Sequence, residues 1–107
     1  MIKIATLNVK GLNDRIKAQK TLTLLKSYKL DIIFIQETNL NNAATRKFLA
    51  QQWSYDSLWT SKMAILVEKP NIKLKNTKIS HNNRVISAKI TFKNRLYLFT
   101  NVYAPSS

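Results

Sequence analysis

Two short apolar segments, about one helix apart, each end in polar side chains. The first lies within residues 6–13 and the second within residues 31–38. Open α/β sheets bind their ligands at the carboxyl ends of their strands. The pattern therefore predicts that Asn8 and Glu37 lie at the carboxyl ends of two neighbouring strands, where they form part of a functional site.

The segment between these runs predicts a helix over residues 14–29, because four apolar residues recur there at helical spacing. We expect Asn13 to cap the N-terminus of this helix and Lys26 to suit the negative end of its dipole. A strand, a helix and a second strand in this order predict a parallel crossover. The apolar residues of the helix are Ala18, Leu22, Leu25 and Tyr28.

The second apolar run, residues 30–36, is nearly continuous, as expected for a strand that is buried on both faces. A shorter helix is expected within residues 39–52, starting near Asn41 or Asn42. Farther along the chain the apolar period changes to two, which predicts an antiparallel β half. Strands are expected over residues 63–67, 72–75, 86–92 and 96–103, the last two joined by a hairpin turn in which Asn94 takes a positive φ.

The chain is strongly basic. It has 18 Lys and Arg residues against 5 Asp and Glu residues, a formal net charge of +13 and an isoelectric point near 10.3. A field of this sign attracts polyanions, and phosphates that are neutralised by lysine or arginine release counterions. Nucleic acid is therefore the expected partner. The alternative is a lysine-rich solvated surface without a specific partner, because the basic residues are spread from Lys3 to Arg95.

Several other classes of protein and site are excluded. The chain has no cysteine, so it forms neither disulfides nor thiolate zinc sites. Its single histidine, His81, lies in a predicted solvated turn, and the sequence contains no Gly-rich phosphate loop. No apolar run approaches the length of a membrane span. We therefore expect an intracellular protein, nuclear or cytoplasmic, with no membrane partner.

Glu37 and Asn8 are the candidate chemical groups. A carboxylate that closes an apolar strand is costly to desolvate unless a cation pairs with it. Mg²⁺ suits Glu37 because this ion accepts one or two protein carboxylates and keeps several waters, and a surface lysine is the equal alternative. Asn8 can orient a phosphate through its amide, or be only a turn residue that leads into Gly11. Gly11, the one glycine of the chain, is expected at a turn with positive φ.

Four segments, taken in order, resemble the endonuclease/exonuclease/phosphatase superfamily, and within it the apurinic-like endonuclease domain of LINE-type (non-LTR) retrotransposons. They are residues 6–12, 31–38, 64–67 and 101–105, which together span essentially the whole chain. The resemblance implies an α/β (α+β) fold, a two-sheet α/β sandwich of the DNase I-like type. Residues 1–107 would be its N-terminal half, and therefore a single, incomplete domain.

The resemblance also implies an activity, in which the full-length protein hydrolyses phosphodiester bonds in DNA with Mg²⁺, or with Mn²⁺ in its place. Glu37 matches the family's metal-ligating glutamate, Asn8 its active-site asparagine, and Tyr103 its tyrosine near the substrate phosphate. Arg84 matches a basic residue near the DNA. Lys10 stands where cellular repair relatives carry a second acidic residue, and it is assigned with Arg84 to nucleic-acid binding.

Two further segments of the family, of the Gly-Asp-Phe-Asn and Ser-Asp-His types, do not occur in residues 1–107. They supply the carboxylate that places the nucleophile and a histidine. We therefore expect residues 1–107 to be inactive alone and to lack a C-terminal half of the same domain. The alternatives are a basic nucleic-acid-binding module without catalysis and a relict that retains only the fold.

The resemblance leads to one expectation about exposed surface. If the second half supplied most of the facing sheet, the inner apolar face of the predicted strands at residues 86–92 and 96–103 would be uncovered. Such a chain would associate through this face. The residues concerned are Ile86, Ala88, Ile90, Phe92, Leu96 and Leu98.

Overall fold

The computed structural model describes residues 1–104, which form two helices and seven strands. The last residue of the fourth motif, Pro105, lies outside the described residues. The expected mixed α/β class with two sheets is confirmed. In chain order the elements are β1 (Ile4–Asn8), α1 (Arg15–Ser27), β2 (Ile32–Gln36), α2 (Ala43–Gln52), β3 (Ser57–Trp59), β4 (Met63–Val67), β5 (Lys75–Ile79), β6 (Val85–Phe92) and β7 (Arg95–Val102).

The first sheet has four strands in the order β1-β2-β4-β3. β1 and β2 are parallel, as the crossover predicted, and Asn8 lies opposite Gln36 at their carboxyl ends. β4 runs antiparallel to β2, so that Met63 at the start of β4 also lies opposite Gln36. The loops that follow β1 and β2 and the loop that precedes β4 therefore meet at one edge of the sheet.

The two helices pack on one face of this sheet. Ala18, Leu22 and Leu25 of α1 and Leu49 of α2 are buried in one cluster with the inner residues of β2 and β4. Tyr28 was expected in this stripe but is 56% exposed, because α1 ends at Ser27. α2 begins where the sequence predicted, with Asn42 as its N-cap.

The N-cap of α1 differs from the prediction by one residue. Asp14, not Asn13, occupies the cap position, and its carboxylate accepts hydrogen bonds from the backbone N–H groups of Ile16 and Lys17. A carboxylate satisfies free N–H groups and also interacts favourably with the positive end of the helix dipole. This double advantage explains why the helix begins immediately after Asp14.

The second sheet has three antiparallel strands in the order β5-β6-β7 and packs on the other face of the first sheet. Ile86, Ala88 and Ile90 of β6 are each 0% exposed. The expectation that this face is uncovered was therefore wrong, because β2 and β4 of the same chain cover it. Leu96 and Leu98 are 69% and 66% exposed, as expected, but they lie on the outer face of β7.

The strand predicted at residues 72–75 is displaced, since the observed strand starts at Lys75. Ile72 is buried in the core between the sheets, and the N–H of Leu74 donates to Asp56 Oδ2 at 2.8 Å. The alternating pattern there reflects core packing without strand pairing. The hairpin turn is confirmed, but it consists of two residues, Lys93 and Asn94, with φ of +50° and +65°, because Arg95 already pairs with Phe92.

Within residues 1–104, neither helix has the length and apolar character needed to cross a bilayer.

Candidate functional site

The loop after β1 is a tight turn built around Asn8. The side-chain Oδ1 of Asn8 accepts a hydrogen bond from the backbone N–H of Lys10 at 3.0 Å. Lys10 and Gly11 both have positive φ, +52° and +94°. Asn8 is thus a turn residue, as one of the two interpretations predicted. The turn uses only the amide oxygen, which leaves the Nδ2 donor of this exposed side chain available for a ligand.

The loops after β1 and β2 are joined by a continuous series of backbone hydrogen bonds. Val9 N–H donates to the carbonyl of Gln36 at 3.1 Å, and Gly11 N–H donates to the carbonyl of Glu37 at 2.6 Å. Leu12 N–H then donates to the carbonyl of Thr38 at 2.8 Å. Parallel pairing thus continues past the ends of both strands and fixes Asn8 and Glu37 relative to each other.

The loop that carries Glu37 is also fixed on its other side. Thr38 is 0% exposed, its N–H donates to the carbonyl of Lys62 at 3.0 Å, and its hydroxyl donates to the carbonyl of Ser61 at 3.1 Å. Leu40 N–H donates to the carbonyl of Ser61 at 2.8 Å. The short segment after β2 is therefore held between two neighbouring loops.

Glu37 itself has a φ of +58°, a left-handed conformation that costs energy for a residue with a Cβ. Its side chain is half-buried. Among residues 1–104 the one ion pair joins Lys69 to Asp31, so no lysine or arginine neutralises Glu37. The lysine pairing that was the alternative to a metal is thus not observed among the described residues, and the carboxylate is available to an external cation.

Tyr103 is carried by the second sheet. It follows β7, its ring packs against the core between the sheets, and its N–H donates to the carbonyl of Arg84 at 2.8 Å. Arg84 precedes β6, and its N–H donates to Ser80 Oγ and Asn82 Oδ1, each at 3.2 Å. The fold therefore places the exposed Arg84 next to Tyr103, as two of the expected site residues.

Asn101 links the two sheets at this end of the sandwich and was not among the predicted site residues. It is 3% exposed, and its side chain forms hydrogen bonds to β2 and β4 of the opposite sheet. One residue, Val102, separates Asn101 from Tyr103, and Gln36, which donates to Asn101, directly precedes Glu37. A signal for it exists in the sequence, because Asn101 alternates with Tyr97 and Phe99 on a face that should be apolar.

Few potential metal ligands lie at this end of the sheet. Among the described residues no cluster of three His, Cys, Asp or Glu side chains is present, and Glu37 is the carboxylate at the edge. Mg²⁺ is often bound by one or two carboxylates, with waters and substrate phosphates completing its coordination. The unpaired carboxylate of Glu37 fits that mode, while the amide oxygen of Asn8 is already used in the turn.

The two carboxyl groups with shifted pKa values lie at the opposite edge of the sheet. Burial raises the pKa of Asp31, but hydrogen bonding from Lys3 N–H and the ammonium of Lys69 outweigh it and hold that pKa below its usual value. Burial raises the pKa of Glu68, against the hydrogen bond from Leu30 N–H. Asp31 ties the starts of β1 and β2 together, which is a structural role.

Comparison with known proteins agrees with this architecture. A sequence model of the Endonuclease/Exonuclease/phosphatase family matches residues 5–104. The solved structure of a humanized D. rerio TDP2 carrying 14 mutations superposes with a TM-score of 0.75 at 21% sequence identity. The match covers 99% of this chain but 48% of that one, so the chain spans about half the length of this structural relative.

Proposed function

The chain belongs to the endonuclease/exonuclease/phosphatase family, and from this we propose that it is part of a Mg²⁺-dependent phosphodiesterase that cleaves DNA. The observation that supports the proposal is that hydrogen bonds join the loops of Asn8 and Glu37, and that Asn101, two residues before Tyr103, bonds to Gln36 beside Glu37. We further propose that the protein derives from a LINE-type retrotransposon, on the resemblance of its four motifs.

Each residue at this edge receives a role in the proposal. Glu37 would hold Mg²⁺, or Mn²⁺, which when bound supplies positive charge to the scissile phosphate. Asn8 donates from Nδ2 to a phosphate oxygen, since its Oδ1 is occupied by Lys10 N–H. Tyr103 lies against the same phosphate. Lys10 and Arg84 neutralise flanking DNA phosphates.

The proposed activity belongs to a complete domain, of which residues 1–107 form the N-terminal half. Among the described residues no three His, Cys, Asp or Glu side chains cluster together, so the proposal assigns the second carboxylate and the water-activating histidine to the other half of the domain. Within residues 1–104 each sheet has two edge strands, β1 and β3 in the first and β5 and β7 in the second, and β1 and β7 can pair with further strands. We propose that a C-terminal half docks there and completes the site.

A basic nucleic-acid-binding module without catalysis is the second candidate function. The net charge of +13 and the single carboxylate at the edge favour it. Such a module would retain Lys10 and Arg84 as phosphate contacts and would not depend on Glu37. The two candidates therefore differ in the effect of a Glu37 substitution.

A chimera tests the proposal. Residues 1–104 are joined to the C-terminal half of a catalytically active family member, and nicking of supercoiled plasmid is measured in Mg²⁺. We expect metal-dependent nicking by the chimera, its loss on Glu37→Gln, and no nicking by residues 1–107 alone. A folded chimera that binds DNA but never nicks it would reject the enzyme proposal in favour of the binding module.

A further inference from the structure

We propose that Asn101 is a positioning residue that holds Glu37 and Tyr103 in register across the two sheets. The inference rests on the proposed function of Glu37 and adds to it a buried side chain that sets the geometry of the site. Asn101 touches neither DNA nor metal in this proposal. It acts through Gln36, the residue before Glu37.

The side chain of Asn101 forms three hydrogen bonds to the opposite sheet. Its Nδ2 donates to the carbonyl of Ile35 in β2 and to the carbonyl of Ala64 in β4, each at 3.2 Å. Its Oδ1 accepts from Gln36 Nε2 at 2.6 Å. Ile35 and Ala64 are cross-strand partners, so one amide of the second sheet spans two strands of the first.

An amide in this position is costly unless it is specifically used. Asn101 is 3% exposed, and the neighbouring inner positions of β7 carry Tyr97 and Phe99. A buried amide that loses its partners is strongly unfavourable, whereas an aliphatic residue of similar size would pack there without needing any. The three bonds therefore specify one register between the sheets, which apolar contacts alone would leave free to shift.

The position of these bonds connects them to the site. The side chain of Gln36 is bound by Asn101, and the carbonyl of Gln36 accepts from Val9 N–H. The next residue, Glu37, adopts the left-handed conformation, and Thr38 is held by the loop before β4. In the other direction Tyr103 follows Asn101 by two residues. Asn101 thus joins the carboxylate of one sheet to the tyrosine of the other.

The test uses nitrogen-labelled chain 1–107 with Mn²⁺ as the probe, and every variant also carries Leu96→Lys and Leu98→Lys on the outer face of β7 to keep the chain monomeric. Amide correlation NMR spectra report the side-chain NH₂ of Gln36 and the backbone N–H of Glu37, and paramagnetic broadening at Glu37 reports Mn²⁺ binding. Asn101→Leu removes all three bonds, and Gln36→Leu removes only the bond to Gln36. Ile90→Ala, in the same core but distant from Gln36 along β6, serves as the control with a lowered Tm.

We expect Asn101→Leu to shift the Glu37 signal and to weaken Mn²⁺ binding about tenfold or more, as loss of outer hydrogen-bond partners does at metal sites. In the same variant the side-chain NH₂ signal of Gln36 should move away from the chemical shift of a hydrogen-bonded amide. Ile90→Ala should leave both signals and the Mn²⁺ affinity unchanged despite its lower Tm. If Asn101→Leu does not fold, Gln36→Leu carries the test, with a shift of Glu37 again expected.

Unchanged Glu37 signals in the folded variants would overturn the inference, as would equal shifts in Ile90→Ala. If the unsubstituted chain binds no Mn²⁺ at Glu37, the proposed metal role of Glu37 fails. The positional inference is then still decided by the Gln36 and Glu37 signals. The two failures are thus distinguishable.

Discussion

The backbone N–H of Gly11 lies 2.6 Å from the carbonyl oxygen of Glu37, and this hydrogen bond joins the two loops of the candidate site. Gly11 makes the bond at a φ of +94°, in a conformation that side chains with a Cβ disfavour. The only glycine of the chain is therefore used where the loop after β1 must approach the loop of Glu37.

Replacing this glycine should destabilise the folded protein through backbone strain and not through a steric clash. A Cβ at position 11 would meet Asn13 Oδ1 and Asn39 Nδ2 at 3.8 Å, which is ordinary contact. We expect Gly11→Ala to lower the free energy of unfolding by about 1–2 kcal/mol, the cost of a left-handed residue. Gly11→Asn should lose less, because asparagine tolerates positive φ. Urea denaturation measures both, and an alanine variant as stable as the parent would contradict the prediction.

The stability contributed by Asp31 should depend on pH in a defined direction. The pKa of Asp31 in the folded state is lower than the usual aspartate value of 3.8, because hydrogen bonding from Lys3 N–H and the Lys69 ammonium outweigh burial. A lowered pKa means that the contribution is fully present above about pH 3.8 and is lost as the pH falls through the folded-state value.

Asp31→Asn tests this dependence. It should cost about 1.5–3 kcal/mol near neutral pH, the range for hydrogen bonds to a charged group, and the difference from the parent chain should shrink in acid. The free energies of unfolding of the parent and the variant must be compared at each pH. Glu68, whose pKa is raised, gives both proteins a pH dependence of the opposite sign. A difference that is constant down to pH 2 would show that the charge of Asp31 contributes no stability.

Much of the fold follows from apolar spacing, since β2 and β4 are recognisable as strands covered on both faces. The cover of β6 was not predictable in the same way. Alternation shows that Ile86, Ala88 and Ile90 share a face, but it does not show which element packs on that face. β3 was missed because its three residues are half-buried and have no clear period.

The candidate site shows the same division between local and distant information. The turn at Asn8 and the positive φ of Gly11 depend on neighbouring residues, and both were predicted. The hydrogen bond from Gln36 to Asn101 spans 65 residues, so no local pattern indicates it. The polar residue on an apolar face was visible, but its partners depend on how the sheets pack.

DNA binding by residues 1–107 should be weak, insensitive to sequence and steeply dependent on salt. Each phosphate contact contributes a slope of about −0.9 to the plot of log affinity against log salt. We expect Lys10→Ala and Arg84→Ala each to reduce the steepness by about 1, whereas Lys73→Ala, at the opposite edge, should change it less. Fluorescence anisotropy with two unrelated duplexes measures this. Equal effects of all three substitutions would indicate a diffuse charge effect without a defined DNA path.

The exposed apolar side chains of β7 should drive the isolated chain to associate, although the reason differs from the uncovered inner face that the sequence suggested. Ile86, Ala88 and Ile90 are covered, but Leu96, Leu98 and Val102 lie on the outer face of an end strand and are 57–69% exposed. An edge strand with an apolar outer face favours association with another chain.

The double substitution Leu96→Lys and Leu98→Lys tests whether the outer face of β7 drives the association. Lysines on an edge strand discourage pairing with a strand of another chain, and here they also remove the apolar patch without altering the core. We expect the parent chain to elute as oligomers and to bind hydrophobic dyes, and the double variant to be monomeric with an unchanged melting temperature. Light scattering after size-exclusion chromatography decides the oligomeric state. Continued association of the double variant would point to the open edge at β1, where Ile4 and Leu7 are 40% and 37% exposed, as the surface through which the chains meet.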